Sequence, residues 1–391
     1  MSYPILKLKS GKTQSISRRH PWIFSGALQF HKFDLKNGDV IYIANHQDNI
    51  LATAHFSDGS IAARILAFAE VEINSDFYAE RIKSAFAIRS QSGLTNSDLT
   101  NAYRLINAEG DQLPGLVIDF YNGVAVVQTH SAGMTRDFEL IKEALHKTLG
   151  NRLNNVVHKS AEKSNTNLSD DTDIPPTINI LEHGNVFVVN HQTGQKTGFF
   201  LDQRENRALS AKYAKGKRVL NAFCYSGGFS IYALKAGAEM VHSLDSSAKA
   251  MQLVDENLEA NSLTGSHHQS ITADALEYLN SDEARDQDYD VIILDPPAFA
   301  KHRSARHKAV QAYKRLNARA LSIMKPGGIL ITFSCSQVVT PDLFNNTIAA
   351  AAIEANRHVR ILHHLHQPED HPISIFHPEG EYLKGLVLAV S

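Results

Sequence analysis

Cysteine is scarce in this chain: 391 residues contain two, Cys224 and Cys335. Two thiols cannot build a disulfide framework, so a reducing cytoplasm is the expected compartment. Long apolar runs are missing as well. Nothing approaches the ~18 uninterrupted apolar residues of a membrane span. The opening Met1-Ser2-Tyr3-Pro4-Ile5-Leu6-Lys7 lacks the apolar centre of a secretion signal. Charge of either sign is nearly balanced at −2, which argues against a uniformly basic nucleic-acid coat. No internal repeat and no heptad pattern is visible.

The balance hides a local asymmetry. Residues 1–36 hold seven Lys or Arg against one acid, Asp34. Between Asp295 and Asp342 there is no acid, but there are eight basic residues, from Lys301 and Arg303 to Lys325. Such patches on a neutral protein can follow a phosphate backbone, and they can equally be ordinary solvated faces. Arg18-Arg19-His20-Pro21-Trp22 mixes cations with an aromatic ring, as single-strand binders do. It can also be a basic turn in which Trp22 anchors the first domain.

A chain of this length predicts two or three domains. Residues 1–70 read as short strands around Val40-Ile41-Tyr42-Ile43 and Ile61–Leu66, the pattern of a small β-barrel. A helix is expected over Asp76–Arg89, a hairpin at Tyr121-Asn122-Gly123 and a second helix from about Thr135 to Leu149. The polar stretch from Glu162 to Thr177 reads as a loop. From about Gly216 the chain alternates strand and helix, ending at Gly328–Phe333, which is the grammar of a doubly wound parallel α/β sheet.

Two strings in that last region carry the chemistry. Val291-Ile292-Ile293-Leu294 leads into Asp295-Pro296-Pro297, and Ile329–Phe333 leads into Ser334-Cys335-Ser336. If the two runs are neighbouring strands, their carboxyl ends open onto one ligand crevice, with carboxylate and thiol about 5 Å apart in strand spacing. Asn221-Ala222-Phe223-Cys224-Tyr225-Ser226-Gly227-Gly228 also follows a strand and opens a helix. It lacks the Gly-x-Gly-x-x-Gly of a dinucleotide site, which disfavours a nicotinamide enzyme and suits a nucleoside-like ligand without phosphate, such as S-adenosylmethionine. Asn221, Phe223, Tyr225, Ser226, Gly227 and Gly228 are therefore candidate cofactor contacts. Asp245, ending the next strand, is placed to meet ribose hydroxyls, and Asp274 to meet the adenine. Each acid alone could be a helix N-cap. Cys335 is the expected nucleophile, and Cys224 is expected to pack. The His363-His364-Leu365-His366 tract with His371 reads as structural or solvated, so no metal is expected.

With these residues in view, the chain resembles bacterial ribosomal RNA large-subunit cytosine-C5 methyltransferases that carry an N-terminal PUA domain. The resemblance rests on Arg19-His20-Pro21-Trp22-Ile23-Phe24, Asn107-Ala108-Glu109-Gly110-Asp111, Leu113-Pro114-Gly115-Leu116 and Lys196–Arg204. It continues through the Asp-Pro-Pro and Ser-Cys-Ser strings to Glu379-Gly380-Glu381-Tyr382-Leu383-Lys384-Gly385. It implies a PUA-like RNA-binding domain over 1–72, a central α+β domain over 73–190 and a class I methyltransferase domain over 191–391. It also implies S-adenosyl-L-methionine as cofactor, large-subunit ribosomal RNA as partner and 5-methylcytosine as product. Cys335 and Asp295 would be catalytic. Phe200, Asp202, Gln203 and Arg204 would join Asp295 and Pro296 at the cofactor. Arg18, Arg19, Trp22, Lys301 and Arg303 would contact RNA, and a homodimer is an option. Ala298 and Phe299 stand where many RNA cytosine-C5 enzymes have a second cysteine, which leaves the acceptor of the C5 proton open. Uracil-C5 or guanine-N methylation on the same scaffold, or RNA binding without catalysis, are the alternatives.

Overall fold

The computed structural model describes residues 3–30, 33–160, 175–192, 194–300 and 302–391. The chain divides into two compact units. The first comprises residues 1–180, 189–199 and 369–380; the second comprises 181–188, 200–368 and 381–391. Most of the expected loop between Glu162 and Thr177 lies outside the described residues.

The first unit opens with a five-stranded sheet. Its strands are β1 (Ile5–Lys7), β2 (Trp22–Phe24), β3 (Val40–Ala44), β4 (Ile50–Phe56) and β5 (Ile61–Ala67), in the order β1-β3-β4-β5-β2. Alternation explains why β3 is buried on both sides. Ile41 and Ile43 face a core with Leu6, Ile23, Ala54 and Ile65, while Val40 joins Leu66, Tyr78 and Leu116 in a second core. That second core belongs to β6 (Ala102–Asn107), β7 (Leu116–Tyr121), β8 (Val124–Thr129) and β9 (Asn155–Ser160), ordered β6-β7-β8-β9. The hairpin between β7 and β8 turns at Asn122 (φ +47°) and Gly123 (φ +91°), the paired positive dihedrals that match the twist of the strands. Helix Ser75–Gln91, capped by the Asn74 side chain on the Phe77 N–H, packs with helix Phe138–Leu149.

Buried ionic contacts fasten the far end of this unit. Arg89 is fully buried and bidentate to Asp111, at 2.6 and 2.7 Å, and it also donates to the carbonyls of Arg104 and Asp370. Asp370 Oδ2 in turn accepts from the Arg104 N–H at 2.9 Å. Gly110 must be glycine here, because a Cβ would run into the Pro372 carbonyl.

A two-stranded ribbon, β10 (Thr177–Glu182) and β11 (Asn185–Asn190), follows. The second unit is built on seven strands: β12 (Arg218–Ala222), β13 (Met240–Asp245), β14 (His268–Thr272), β15 (Val291–Leu294), β16 (Ile329–Ser334), β17 (Val359–His366) and β18 (Lys384–Val390). Their order is β14-β13-β12-β15-β16-β18-β17; β14 through β16 run parallel, and β17 and β18 are antiparallel. Both faces are covered. Leu220, Ile292, Leu294 and Leu330 enter one core, while Val219, Val291, Ile293, Ile331 and Phe333 enter the other. That is why the central strands read as continuous apolar runs. The C-terminal pair β17 and β18 was not foreseen from the sequence. On β17, His363, His364 and His366 are exposed and Leu365 is buried. Among the described residues, no helix is long and apolar enough to cross a membrane.

Replacing Arg89 by Ala would leave Asp111 buried without its cation. We expect a loss of about 3–5 kcal/mol in urea unfolding. A loss under about 1 kcal/mol would show that this pair does not hold the unit together.

Candidate active site

Strand β15 pairs in register with β12 on one side (Leu294 beside Ala222) and with β16 on the other (Leu294 beside Thr332). The order of connection reverses between β12 and β15, so the loops leaving their carboxyl ends part and open a crevice. Three candidate segments leave from this line of strand tips.

The loop after β12 is tightly curled. Phe223 (φ +60°), Tyr225 (φ +47°) and Gly227 (φ +74°) are all left-handed, although the first two carry side chains. Such strain persists where the surroundings impose it, and it gathers at functional sites. Here the Tyr225 N–H donates to Asp245 Oδ2 at 3.1 Å, and Asp245 Oδ1 accepts from the Ser247 N–H. Asp245 is half-buried at the tip of β13. Ser226 and Gly228 are buried in the same turn, and a Cβ on Gly228 would press on the Arg207 side chain. Cys224 is buried, and that burial pushes its thiol well above the ordinary value. Two further expected contacts have partners within the fold. Asn221 is fully buried and donates to Ser230 Oγ, beneath the crevice. Asp274 caps helix Ala275–Asn280, accepting from the N–H groups of Leu276 and Glu277.

The segment from Phe200 to Arg207 meets the second tip. Gln203 Nε2 donates to Asp295 Oδ2 at 3.0 Å, and Gln203 Oε1 accepts from Asn206. This chain of amides orients the Asp295 carboxylate. Asp202 Oδ2 accepts from the Tyr382 hydroxyl at 2.7 Å, and the Phe200 ring meets Tyr225 edge-on at 5.2 Å. Arg204 is buried, with Nε on Glu205. Arg207 forms a bidentate pair with Glu182, both oxygens at 2.7 Å, and donates to the Phe200 carbonyl.

At the third tip, Cys335 Sγ lies 3.7 Å from the Pro296 carbonyl, so the thiol does meet the Asp295-Pro296-Pro297 loop. Cys335 is partly exposed. Ser336 Oγ donates to the Ala300 carbonyl at 2.7 Å and ties the two loops together. Lys384, opposite Ser334 in the β16–β18 pair, is buried and donates through Nζ to the carbonyls of Ser336 and Val339, each at 2.8 Å. Burial draws its ammonium down to about 8, against the pull of Cys335 and Glu381. Lys384 was missed from the sequence; its signal was a lysine opening the otherwise apolar strand β18. Tyr313, also missed, is buried beside the two tips. Its phenol is pushed up to about 12, first by burial, with Cys335 and Asp295 adding to the effect.

The donor set of the crevice tests the expected cofactor. The turn after β12 lacks the glycine pattern that admits a dinucleotide's pyrophosphate, and carboxylates at Asp245 and Asp295 suit ribose hydroxyls and a cationic sulfonium. The residues fit S-adenosyl-L-methionine.

The expected RNA contacts lie apart from these tips in the sequence. Arg18, Arg19 and Arg303 are exposed. Trp22 is half-buried and fixed by its Nε1–H bond to Glu109 at 2.9 Å, an anchor for the small sheet. Lys301 lies outside the described residues.

Comparison with known proteins agrees with this geometry. Residues 141–377 match the S-adenosylmethionine-dependent methyltransferase family, and residues 6–68 match a PUA-like domain. The ribosomal RNA large subunit methyltransferase I of Pseudoalteromonas atlantica is 41% identical, covering 98% of each chain. The enzyme of the same name from Aeromonas hydrophila is 40% identical, over 97% of this chain and 98% of its own. A candidate methyltransferase solved with SAH superposes with a TM-score of 0.85 at 25% identity over the whole of both chains. The chain therefore belongs to the S-adenosylmethionine-dependent methyltransferase family, in the branch of the ribosomal RNA large subunit methyltransferase I proteins, with a class I methyltransferase fold and a PUA-like N-terminal domain.

Proposed function

We propose that this chain forms 5-methylcytosine in large-subunit ribosomal RNA, in the cytoplasm, through a covalent adduct between Cys335 and C6 of the base. The substrate class is supported by the names of its relatives. The chemistry is supported above all by one observation: the Cys335 thiol stands 3.7 Å from the Pro296 carbonyl, beside Asp295, at adjacent parallel strand tips. The division at residues 72 and 190 into PUA-like, central and methyltransferase domains is part of the same reading.

C5 of cytosine is a weak nucleophile. Addition of the Cys335 thiolate to C6 breaks the ring's conjugation and places electron density on C5, so one hard step becomes two easier ones. Asp295, fixed by Gln203, hydrogen-bonds or protonates N3 as charge builds there. When bound, S-adenosyl-L-methionine supplies the electrophilic methyl group for C5. Loss of the C5 proton and expulsion of the thiolate then restore the ring. The base must be unpaired or flipped out of its stack to reach these groups. Phe200, Asp202, Gln203, Arg204, the Phe223–Gly228 turn, Asp245 and Pro296 form the proposed cofactor side, with Asn221 and Asp274 acting as supports of that wall. Arg18 and Arg19 are exposed, and Arg19 sits 6.0 Å from the ring of the exposed Phe68. Cations interleaved with rings suit a single RNA strand.

A thiolate near pH 7 needs a neighbouring positive charge. Lys384 supplies it and also holds the loop that carries the thiol.

Cys335→Ala should abolish methyl transfer to ribosomal RNA while S-adenosylmethionine affinity by calorimetry stays within severalfold. RNA with 5-fluorocytosine at the target should trap the native chain covalently and leave the variant free. Substantial turnover by the variant would overturn the covalent reading. Lys384→Met should raise the pH midpoint for iodoacetamide alkylation of Cys335, because loss of an opposite charge disfavours the thiolate. A shift of about one unit is expected, and an unchanged midpoint would remove Lys384 from this role. Buried Cys224 should stay unlabelled, which mass spectrometry of the peptides checks.

A further inference from the structure

A second cluster of chemically active side chains lies in the first unit, and the methyl-transfer reading makes no use of it. His20 stands just before β2, while His377 and Glu379 come from the 369–380 segment. Glu379 Oε2 is 3.8 Å from His20 Nε2 and 3.8 Å from His377 Nε2. One nitrogen or oxygen from each of the three residues lies within 4.8 Å of the others. His377 is 3% exposed, and neither of its ring nitrogens has a hydrogen-bond partner. Burying polar atoms unmet costs about 1–3 kcal/mol each, so the fold carries this imidazole at a loss unless something binds it.

His20 Nδ1 accepts from the Trp22 N–H at 3.1 Å and lies 3.3 Å from the Trp22 carbonyl. Coordination through Nε2 moves the ring proton to Nδ1, which then donates to that carbonyl, the usual support of a ligating histidine. Two imidazoles and one carboxylate form a donor set for Zn²⁺ and its neighbours among divalent ions, with a further position open to water. Bonds of about 2.0–2.2 Å in a tetrahedron set ligand atoms roughly 3.4 Å apart, so a small side-chain adjustment closes this cluster.

We propose that His20, His377 and Glu379 form a binding site for a zinc-class divalent metal ion. The ion ties the 369–380 segment to the start of β2, joining two motifs more than three hundred residues apart in the chain. Metal binding here adds to the stability of the first unit and is independent of methyl transfer.

The only tryptophan of the chain reports on the site. The Trp22 ring centroid lies 4.5 Å from that of His377, and Glu109 holds the indole in place. Tag-free full-length protein, stripped with chelator and dialysed, would be titrated with Zn²⁺ by calorimetry and with Ni²⁺ by Trp22 fluorescence. We expect one equivalent of Zn²⁺, quenching of Trp22 by Ni²⁺ and a higher melting temperature with Zn²⁺. His377→Ala and Glu379→Gln should each weaken binding by at least about tenfold. His363→Ala, at an exposed histidine on β17, should leave it unchanged. Glu379 is about half exposed, so its amide variant tests the site without disturbing a core, and circular dichroism confirms that it is folded. Absence of stoichiometric Zn²⁺ binding overturns the proposal, as does binding that keeps native affinity in both variants.

Discussion

The pairing of β15 on both sides is the constraint from which the proposed active site follows. Because β12, β15 and β16 are parallel and in register, their carboxyl ends finish on one line. Residues that follow those ends meet in space with no need for contact along the sequence. The double burial of Val291–Leu294 locks that register, since a slip of one residue would turn each side chain to the opposite core. Asp295 and the Cys335 thiol therefore share a crevice as a consequence of packing beneath them.

Buried polar contacts then refine what the sheet only places roughly. Gln203 sets the Asp295 carboxylate, Ser336 ties the thiol loop to Ala300, and Lys384 threads that loop from behind. Each of these groups would be costly if left unmet in the interior, so the connected set is rigid. Arg207 with Glu182 does the same for the Phe200 turn. The curled Phe223–Gly227 turn is the exception, a strained segment held by Asp245 and facing the same edge. An acidic edge suits a cationic methyl donor, and the buried Lys384 near the thiol suits an anion at sulfur.

Much of the architecture was legible because burial leaves local traces. The small sheet, the Asn122-Gly123 hairpin, the helix near 75–91 and the alternating second unit all follow from periodicity and turn chemistry. β17 was not legible, because an exposed histidine-rich strand has no clear apolar pattern. β18 is an apolar run that the reading passed over, and its antiparallel pairing to β16 is a long-range choice. Asn221 and Asp274 read as ligand contacts from their positions after strands; Asn221 is fully buried, while Asp274 is exposed and caps a helix through Oδ1. Position relative to a strand end does not say which way a short side chain turns.

By itself, the sequence determined the parallel sheet, the identities of thiol and carboxylate, and their places just beyond two apolar runs. Strand-length apolar segments and proline-fixed turns are local properties, readable without a partner. Only the tertiary structure decided that Lys384 backs the thiol and that His20 meets His377 and Glu379. Those meetings depend on which distant segments pack together. A lysine or a histidine looks the same in a sequence whether water or a buried partner receives it.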